Sequence, residues 1–290
     1  MLRIGRAPAK LNLALELLGR RHDGLHLLAA VSQTIDWCDV VAIDLAPRSG
    51  RQPRLRVLGP AAAEVPVGGA NLAARAGALV SAEAGAVPLR SIALQKRIPT
   101  RSGLGGGSAD AAAVLRLAGA GLVPGRLLEL ALACGSDVPF ALLGGAASVQ
   151  GVGEQLSPLP PLTRGAFVVV ILGRIATAAA YANSEAADFS TGGRTARLAS
   201  TLSRREPLDP ALLGSGLQAA AERVDPELRP KLRRLREATP GVQWAMTGSG
   251  GAFFSYTTEA AQAARQAQSA RQVCPGAPVR VALPVSSDFG

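Results

Sequence analysis

Aromatic residues make up only 3% of this 290-residue chain, and it holds three cysteines, three lysines and two histidines. Each scarcity excludes something. A basic stripe interleaved with stacking aromatics, the pattern of a dedicated nucleic-acid binder, is missing, although the net charge is +10. Cys38, Cys134 and Cys274 are odd in number and widely spaced, which argues against a disulfide framework and for a reducing compartment. No apolar run approaches ~18 residues, so a membrane span is not expected. The N-terminus, Met-Leu-Arg-Ile-Gly-Arg, lacks the pattern of a signal peptide. His22 and His26 are four apart, but Asp23-Gly24 breaks the helix that chelation would need, so no metal site is expected from them.

Several common motifs are also missing. No lysine follows a glycine, which excludes a Walker A loop. The run Gly103-Leu104-Gly105-Gly106-Gly107 ends in Ser108, so the dinucleotide fingerprint fails. No serine sits in Gly-x-Ser-x-Gly, and no Cys-x-x-Cys occurs.

What remains is globular: 48% hydrophobic and 18% charged residues, in a chain long enough to bury a core without staples. Leu11, Leu13, Leu15 and Leu17 alternate with Asn12, Ala14 and Glu16, a strand that puts Lys10 and Asn12 on the face opposite the leucines. Further strands are expected at 40–45, 55–58, 91–98, 166–172, 242–246, 252–256 and 278–283. Asn71 is a good N-cap for a helix to about residue 83, with Gly85 after it. Helices are also expected from Ser108 to about 121, and at 126–134, 194–205, 226–237 and 259–272. Strand pairs mixed with helices indicate an α+β fold. Ser157-Pro-Leu-Pro-Pro-Leu-Thr-Arg is the best linker, dividing the chain near residue 155.

Lys10, Lys96 and Lys231 stand among 28 arginines. In such a chain a lysine marks a position that needs a compact ammonium, or arises by chance. The segment Ile98-Pro-Thr-Arg-Ser-Gly-Leu-Gly-Gly-Gly-Ser-Ala-Asp110 leads directly into a helix. Glycines admit close backbone approach and a helix start offers free N–H groups, so this segment is expected to be a cradle for phosphates rather than only a flexible loop with a helix N-cap. In Cys134-Gly-Ser-Asp137-Val-Pro-Phe140, Asp137 is either a turn former or a carboxylate placed to take a proton from a hydroxyl. Met246-Thr-Gly-Ser-Gly-Gly-Ala252 is a glycine turn between strands.

These three glycine segments, with Ala7-Pro-Ala-Lys10-Leu-Asn12-Leu before them, resemble the GHMP kinase superfamily in order and spacing over essentially the whole chain. Within it the chain is most similar to the family of 4-diphosphocytidyl-2-C-methyl-D-erythritol kinases. That likeness rests on Pro8-Ala-Lys10-Leu-Asn12-Leu13, Arg21-His-Asp-Gly-Leu25-His26, Asp137-Val-Pro-Phe140 and Gly151-Val-Gly-Glu154. The resemblance implies a two-domain GHMP kinase fold. A ribosomal protein S5 domain 2-like N-terminal domain (1–155) would bind ATP, followed by a ferredoxin-like α/β C-terminal domain (156–290). It implies transfer of the γ-phosphoryl group of ATP, with Mg²⁺, to the 2-hydroxyl of a cytidine-diphosphate-linked methylerythritol, on the route to isoprenoid precursors.

By the same resemblance, Asp137 is the base, Lys10 stabilises it and the moving phosphoryl group, and Asn12 orients them. Asn71 and Lys96 match positions at the adenosine. Pro99, Gly103, Leu104, Gly105, Gly106, Gly107 and Ser108 match the phosphate loop; apart from the resemblance, Ser108 is a candidate Mg²⁺ ligand because its hydroxyl is expected to cap the helix. Leu25 and His26 match the cytosine reader, and Thr177, Tyr181 and Gly248 match segments that close on the substrate. The expected partner is a small molecule, with neither nucleic acid nor membrane, for a cytoplasmic monomer or weak homodimer. Leu25 stands where the family has tyrosine. Thr100-Arg101-Ser102 replaces small residues, and Arg101 either meets a phosphate or points into solvent. The alternatives are a kinase of another alcohol, such as homoserine or a mevalonate-like acid, and a nucleotide-binding protein without catalysis.

Overall fold

The computed structural model describes residues 1–45, 53–83 and 87–286. Strands β1 (Leu2–Arg20) and β2 (His26–Leu45) form one long antiparallel hairpin. The chain continues through β3 (Arg54–Leu58), α1 (Leu72–Ser81), β4 (Leu89–Gln95), α2 (Gly106–Ala118), α3 (Pro124–Cys134), α4 (Val138–Leu143), β5 (Ala146–Gly151) and β6 (Gln155–Leu159). Then follow β7 (Ala166–Ile171), α5 (Thr177–Ala182), α6 (Gly193–Ser203), β8 (Gly214–Ser215), α7 (Gln218–Val224), α8 (Leu228–Ala238), β9 (Ala245–Met246), β10 (Ala252–Thr257), α9 (Ala260–Val273) and β11 (Val279–Ala282).

Two sheets result. The first runs β3-β4-β2-β1-β8, with β5 paired to the N-terminal half of β2 and β6 to β5. The second runs β11-β7-β10-β9. One face of the first sheet buries Val41, Ile43 and Ile92 against the alanine-rich α1 and α2. Its other face meets the second sheet, where Leu11, Leu13 and Ile35 pack on Phe167, Val169 and Phe254. The outer face of the second sheet is covered by α8 and α9, through Val168, Val170, Leu232, Leu235 and Ala267. The alternation along β7 thus divides between two cores, and both its faces are apolar.

The four leucines of β1 do not share one core. A register shift between Asn12 and Ala14 puts Leu11 and Leu13 in the core between the sheets, and Leu15 and Leu17 with the α8–α9 side. A bulge inserts one residue and resets the alternation. Lys10 and Asn12 precede the shift and keep their common face.

Three other expectations change. The helix expected to open at Ser108 begins at Gly106, capped by Gly105 at φ +71°. The linker from Ser157 starts inside β6, paired with β5. The strand expected at 242–246 is only Ala245–Met246. Gly85 lies outside the described residues. The N-terminal half of β2, together with β5, α4, α5, α7 and β8, follows from no local pattern. Residues 29–35 of β2 are buried throughout, polar Ser32, Gln33 and Thr34 included, so no alternation marks them.

Candidate active site

Asn71 caps α1, its Oδ1 accepting from the N–H groups of Ala73 (3.0 Å) and Ala74 (3.2 Å). Val138–Leu143 forms a short helix with proline in its first turn, so Asp137 stands at its N-cap position. The Asp137 side chain makes no capping bond and is about half exposed, 47%. Its carboxylate is therefore free for another partner, which is Lys10: Nζ lies 3.2 Å from Asp137 Oδ2.

Lys10 is held from three directions. Its backbone N–H donates to Leu104 O at 2.9 Å. Its methylenes lie over Gly105, where a Cβ would come within 3.0 Å of Lys10 Cγ. Its ammonium donates to Asn12 Oδ1 at 2.7 Å. Asn12 is fixed in turn, with Nδ2 donating to Ser32 Oγ (2.9 Å) and its N–H to Thr247 Oγ1 (2.8 Å). A bidentate-capable amide and a carboxylate thus share one ammonium beside the glycine loop.

The glycine turn before β10 braces that loop. Ala252 N–H donates to Ser102 O at 3.0 Å, and Ser215 Oγ donates to Gly248 O at 2.7 Å. On the same side, the hydroxyls of Thr177 and Ser249 are 3.0 Å apart. Gly248 lines the site, and its backbone lies close against that of Gly103.

The turn of the β1–β2 hairpin carries the Arg-His-Asp-Gly-Leu-His segment. Arg21 pairs with Asp23 at 2.9 Å, and Gly24 N–H donates to Arg21 O at 3.0 Å. Leu25 is half exposed, and His26 opens β2. The His26 ring lies 5.3 Å from the Tyr181 ring and 6.3 Å from the Phe189 ring, and its Nε2 shares a 2.9 Å hydrogen bond with Ser184 Oγ. Burial, then the charge of Arg20, lowers the His26 pKa, which favours the neutral ring. Burial, then the charge of Asp137, raises that of the Tyr181 phenol.

Lys96 is in a different state from Lys10. Its ammonium is buried between Asp39 and Asp110, with Asp110 Oδ2 at 2.6 Å. Asp39 Oδ1 also accepts from the N–H groups of Arg97 and Ile98. Burial works to lower the Lys96 pKa and the two carboxylates outweigh it, leaving it raised. The Asp110 carboxyl is pushed up to about 7, by burial first and by Asp39, against Lys96.

All 17 residues singled out in the sequence line one cavity of about 700 Å³. The glycine loop that opens α2 and the His26–Tyr181 pair both line it, with Lys10 and Asp137 lining the same space. Asn71 and Lys96 line it too, but their polar side-chain atoms are engaged inside the protein; Asn71 Nδ2 donates to Pro66 O at 3.0 Å. Ser32, Asp39, Ser184 and Phe189 carried no signal in the sequence, and Thr247 only as part of the glycine turn. Each matters through a contact with a residue far along the chain.

Chemically, a helix N-terminus with glycines holds an anion, and a carboxylate beside an ammonium holds a hydroxyl for proton removal. The pattern of the family "GHMP kinases N terminal domain" matches residues 71–145. The 4-diphosphocytidyl-2-C-methyl-D-erythritol kinase of Ralstonia nicotianae is 39% identical over 266 residues, covering 89% of this chain and 86% of that protein. The enzyme of the same name from Carboxydothermus hydrogenoformans is 38% identical, with 87% of each covered. A crystal structure of 4-(cytidine 5'-diphospho)-2C-methyl-D-erythritol kinase superposes with TM-score 0.74 at 36% identity, over 97% of this chain and 99% of that one. A homoserine kinase from Cytophaga hutchinsonii shares the fold, with TM-score 0.75 at 19% identity over 99% and 96%. The chain belongs to the 4-diphosphocytidyl-2-C-methyl-D-erythritol kinase family of the GHMP kinases.

Proposed function

We propose that this protein transfers the γ-phosphoryl group of ATP to the 2-hydroxyl of 4-diphosphocytidyl-2-C-methyl-D-erythritol. The observation that carries it is the Lys10–Asp137 pair, 3.2 Å apart, in a cavity shared with the glycine loop and the His26–Tyr181 pair. Residues 1–155, the nucleotide-binding domain, supply the loop and the N-terminus of α2 for the triphosphate. Residues 156–290, the second domain, supply Thr177, Tyr181 and the glycine turn. The three cysteines are unpaired, in keeping with a reducing, cytoplasmic setting.

Asp137 takes the proton of the 2-hydroxyl as its oxygen forms a bond to the γ-phosphorus. The bond from that phosphorus to the β–γ bridging oxygen breaks, and ADP leaves. Lys10 balances the carboxylate and the phosphoryl charge, and Asn12 fixes the ammonium. Positioning and charge stabilisation are the main demands of such a reaction. Two oxygens at the start of α2 suit a hard cation such as Mg²⁺: the Ser108 hydroxyl and Asp110 Oδ1, which is buried with no hydrogen-bond partner among the described residues; both residues line the cavity. Bound there with the nucleotide, Mg²⁺ would neutralise phosphate charge. The neutral His26 ring, held by Ser184, offers hydrogen bonds to a cytosine edge, and Leu25 replaces one stacking surface with an aliphatic one.

The test is ADP release with ATP, Mg²⁺ and the cytidylated alcohol, beside methylerythritol phosphate lacking cytidine. Turnover is expected only with the cytidylated alcohol. Turnover with homoserine or a mevalonate-like acid instead would overturn the substrate assignment and leave the phosphate loop in place.

A further inference from the structure

Arg101 lies in the glycine-rich loop at φ +53°, a conformation that costs a non-glycine residue on the order of 1–2 kcal/mol. Among the described residues Arg205 is the other non-glycine residue at positive φ, and it follows the end of α6 in an exposed turn. Arg101 is exposed as well, but it lines the active-site cavity. Its backbone cannot relax. Arg101 O accepts from Ile175 N–H at 2.8 Å, and Ser102 is tied to Pro99 O (2.7 Å) and to Ala252 N–H (3.0 Å).

The charges around it are already matched. Lys96 is held by two carboxylates, and Lys10 by Asp137. Glu64 feels the charge of Arg101, but its Oε1 pairs with Arg174 and its Oε2 accepts from Thr100 Oγ1 at 2.9 Å. Among the described residues no carboxylate forms an ion pair with Arg101. A triphosphate entering the cavity carries several negative charges, and Arg101, though within the field of Glu64, has no ion-pair partner among the described residues. A solvated arginine would have no use for a strained backbone locked from the second half of the chain.

We propose that Arg101 is a phosphate-binding residue, supplying its guanidinium to the β- and γ-phosphates of ATP from within the loop itself. This rests on the reading that the loop holds ATP. It is tested by titrating ATP, ADP and AMP into the wild type, Arg101→Gly and Arg101→Lys, with unfolding temperatures taken alongside. Arg101→Gly relieves the strain, so its unfolding temperature without ligand is expected to stay level or rise. Its affinity for ATP is expected to fall about tenfold, for ADP less, and for AMP not at all, as loss of charge-assisted bonds to the outer phosphates requires. Arg101→Lys is expected to recover part of the ATP affinity. Unchanged ATP affinity in Arg101→Gly would overturn the proposal, and so would equal losses for ATP and AMP, which mark a deformed loop. A wild type that binds no ATP would instead overturn the kinase reading on which the proposal rests.

Discussion

A Cβ on Gly248 would stand 2.8 Å from the carbonyl oxygen of Gly103, and one on Gly103 would stand 2.7 Å from that of Thr247. The glycine loop before α2 and the turn between β9 and β10 therefore touch backbone to backbone, with φ +83° at Gly103 and +59° at Gly248. Only glycine fits either side of such a contact. Gly248→Ala is expected to lower stability by about 1–3 kcal/mol through strain and steric displacement. It should also weaken ATP binding, because the phosphate loop loses its brace. Thermal unfolding with and without ATP reads both effects, and an unchanged unfolding temperature and ATP shift would mean that the two loops act separately.

Asp137 is half exposed and makes no capping bond, so Asp137→Asn should change stability by no more than about 0.5 kcal/mol. Turnover should fall by roughly 10²–10⁴, the usual contribution of a positioned base, with ATP affinity retained. Steady-state rates and an ATP titration check this. Full turnover in the variant would remove Asp137 as the base.

Lys96→Met would leave Asp39 and Asp110 buried together without a cation. Breaking such a cluster costs about 3–5 kcal/mol, which denaturant unfolding measures. The pH dependence gives a second handle. Asp110 titrates near 7 in the folded chain against an ordinary value of 3.8. Between those values the folded chain keeps a proton that the unfolded chain has released, so this group makes stability fall as pH rises toward 7. Asp110→Asn should flatten that slope, and a slope unaltered by the substitution would assign it to other groups.

The His26 pKa is lowered from 6.5 by burial and by Arg20. The neutral ring is the folded form, so its contribution to stability is present above about 6.5 and lost as pH falls through the lower folded value. The KM for the cytidylated alcohol should rise over that same acidic window, while the KM for ATP should not. His26→Gln should remove the difference between the two profiles. Parallel acid profiles for both substrates in the wild type would place the titration elsewhere.

The segments that carry chemistry were legible because they rest on local rules. Glycine clusters admit positive φ, Asn71 satisfies two helix N–H groups, and strand alternation puts Lys10 and Asn12 on one face. The sequence by itself thus determined the α+β class, the glycine loop before α2, the Lys10–Asp137 candidates and a turn at Asp23-Gly24 before His26. Only the tertiary structure decided what those residues meet. It splits the β1 leucines between two cores through a bulge, engages Lys96 with Asp39 and Asp110, and sets the Gly248 turn against Gly103. It also brings Ser184 and Phe189 to His26. These outcomes depend on contacts between residues far apart in the chain, and burial on both faces of β2 erases the alternation that would have announced it.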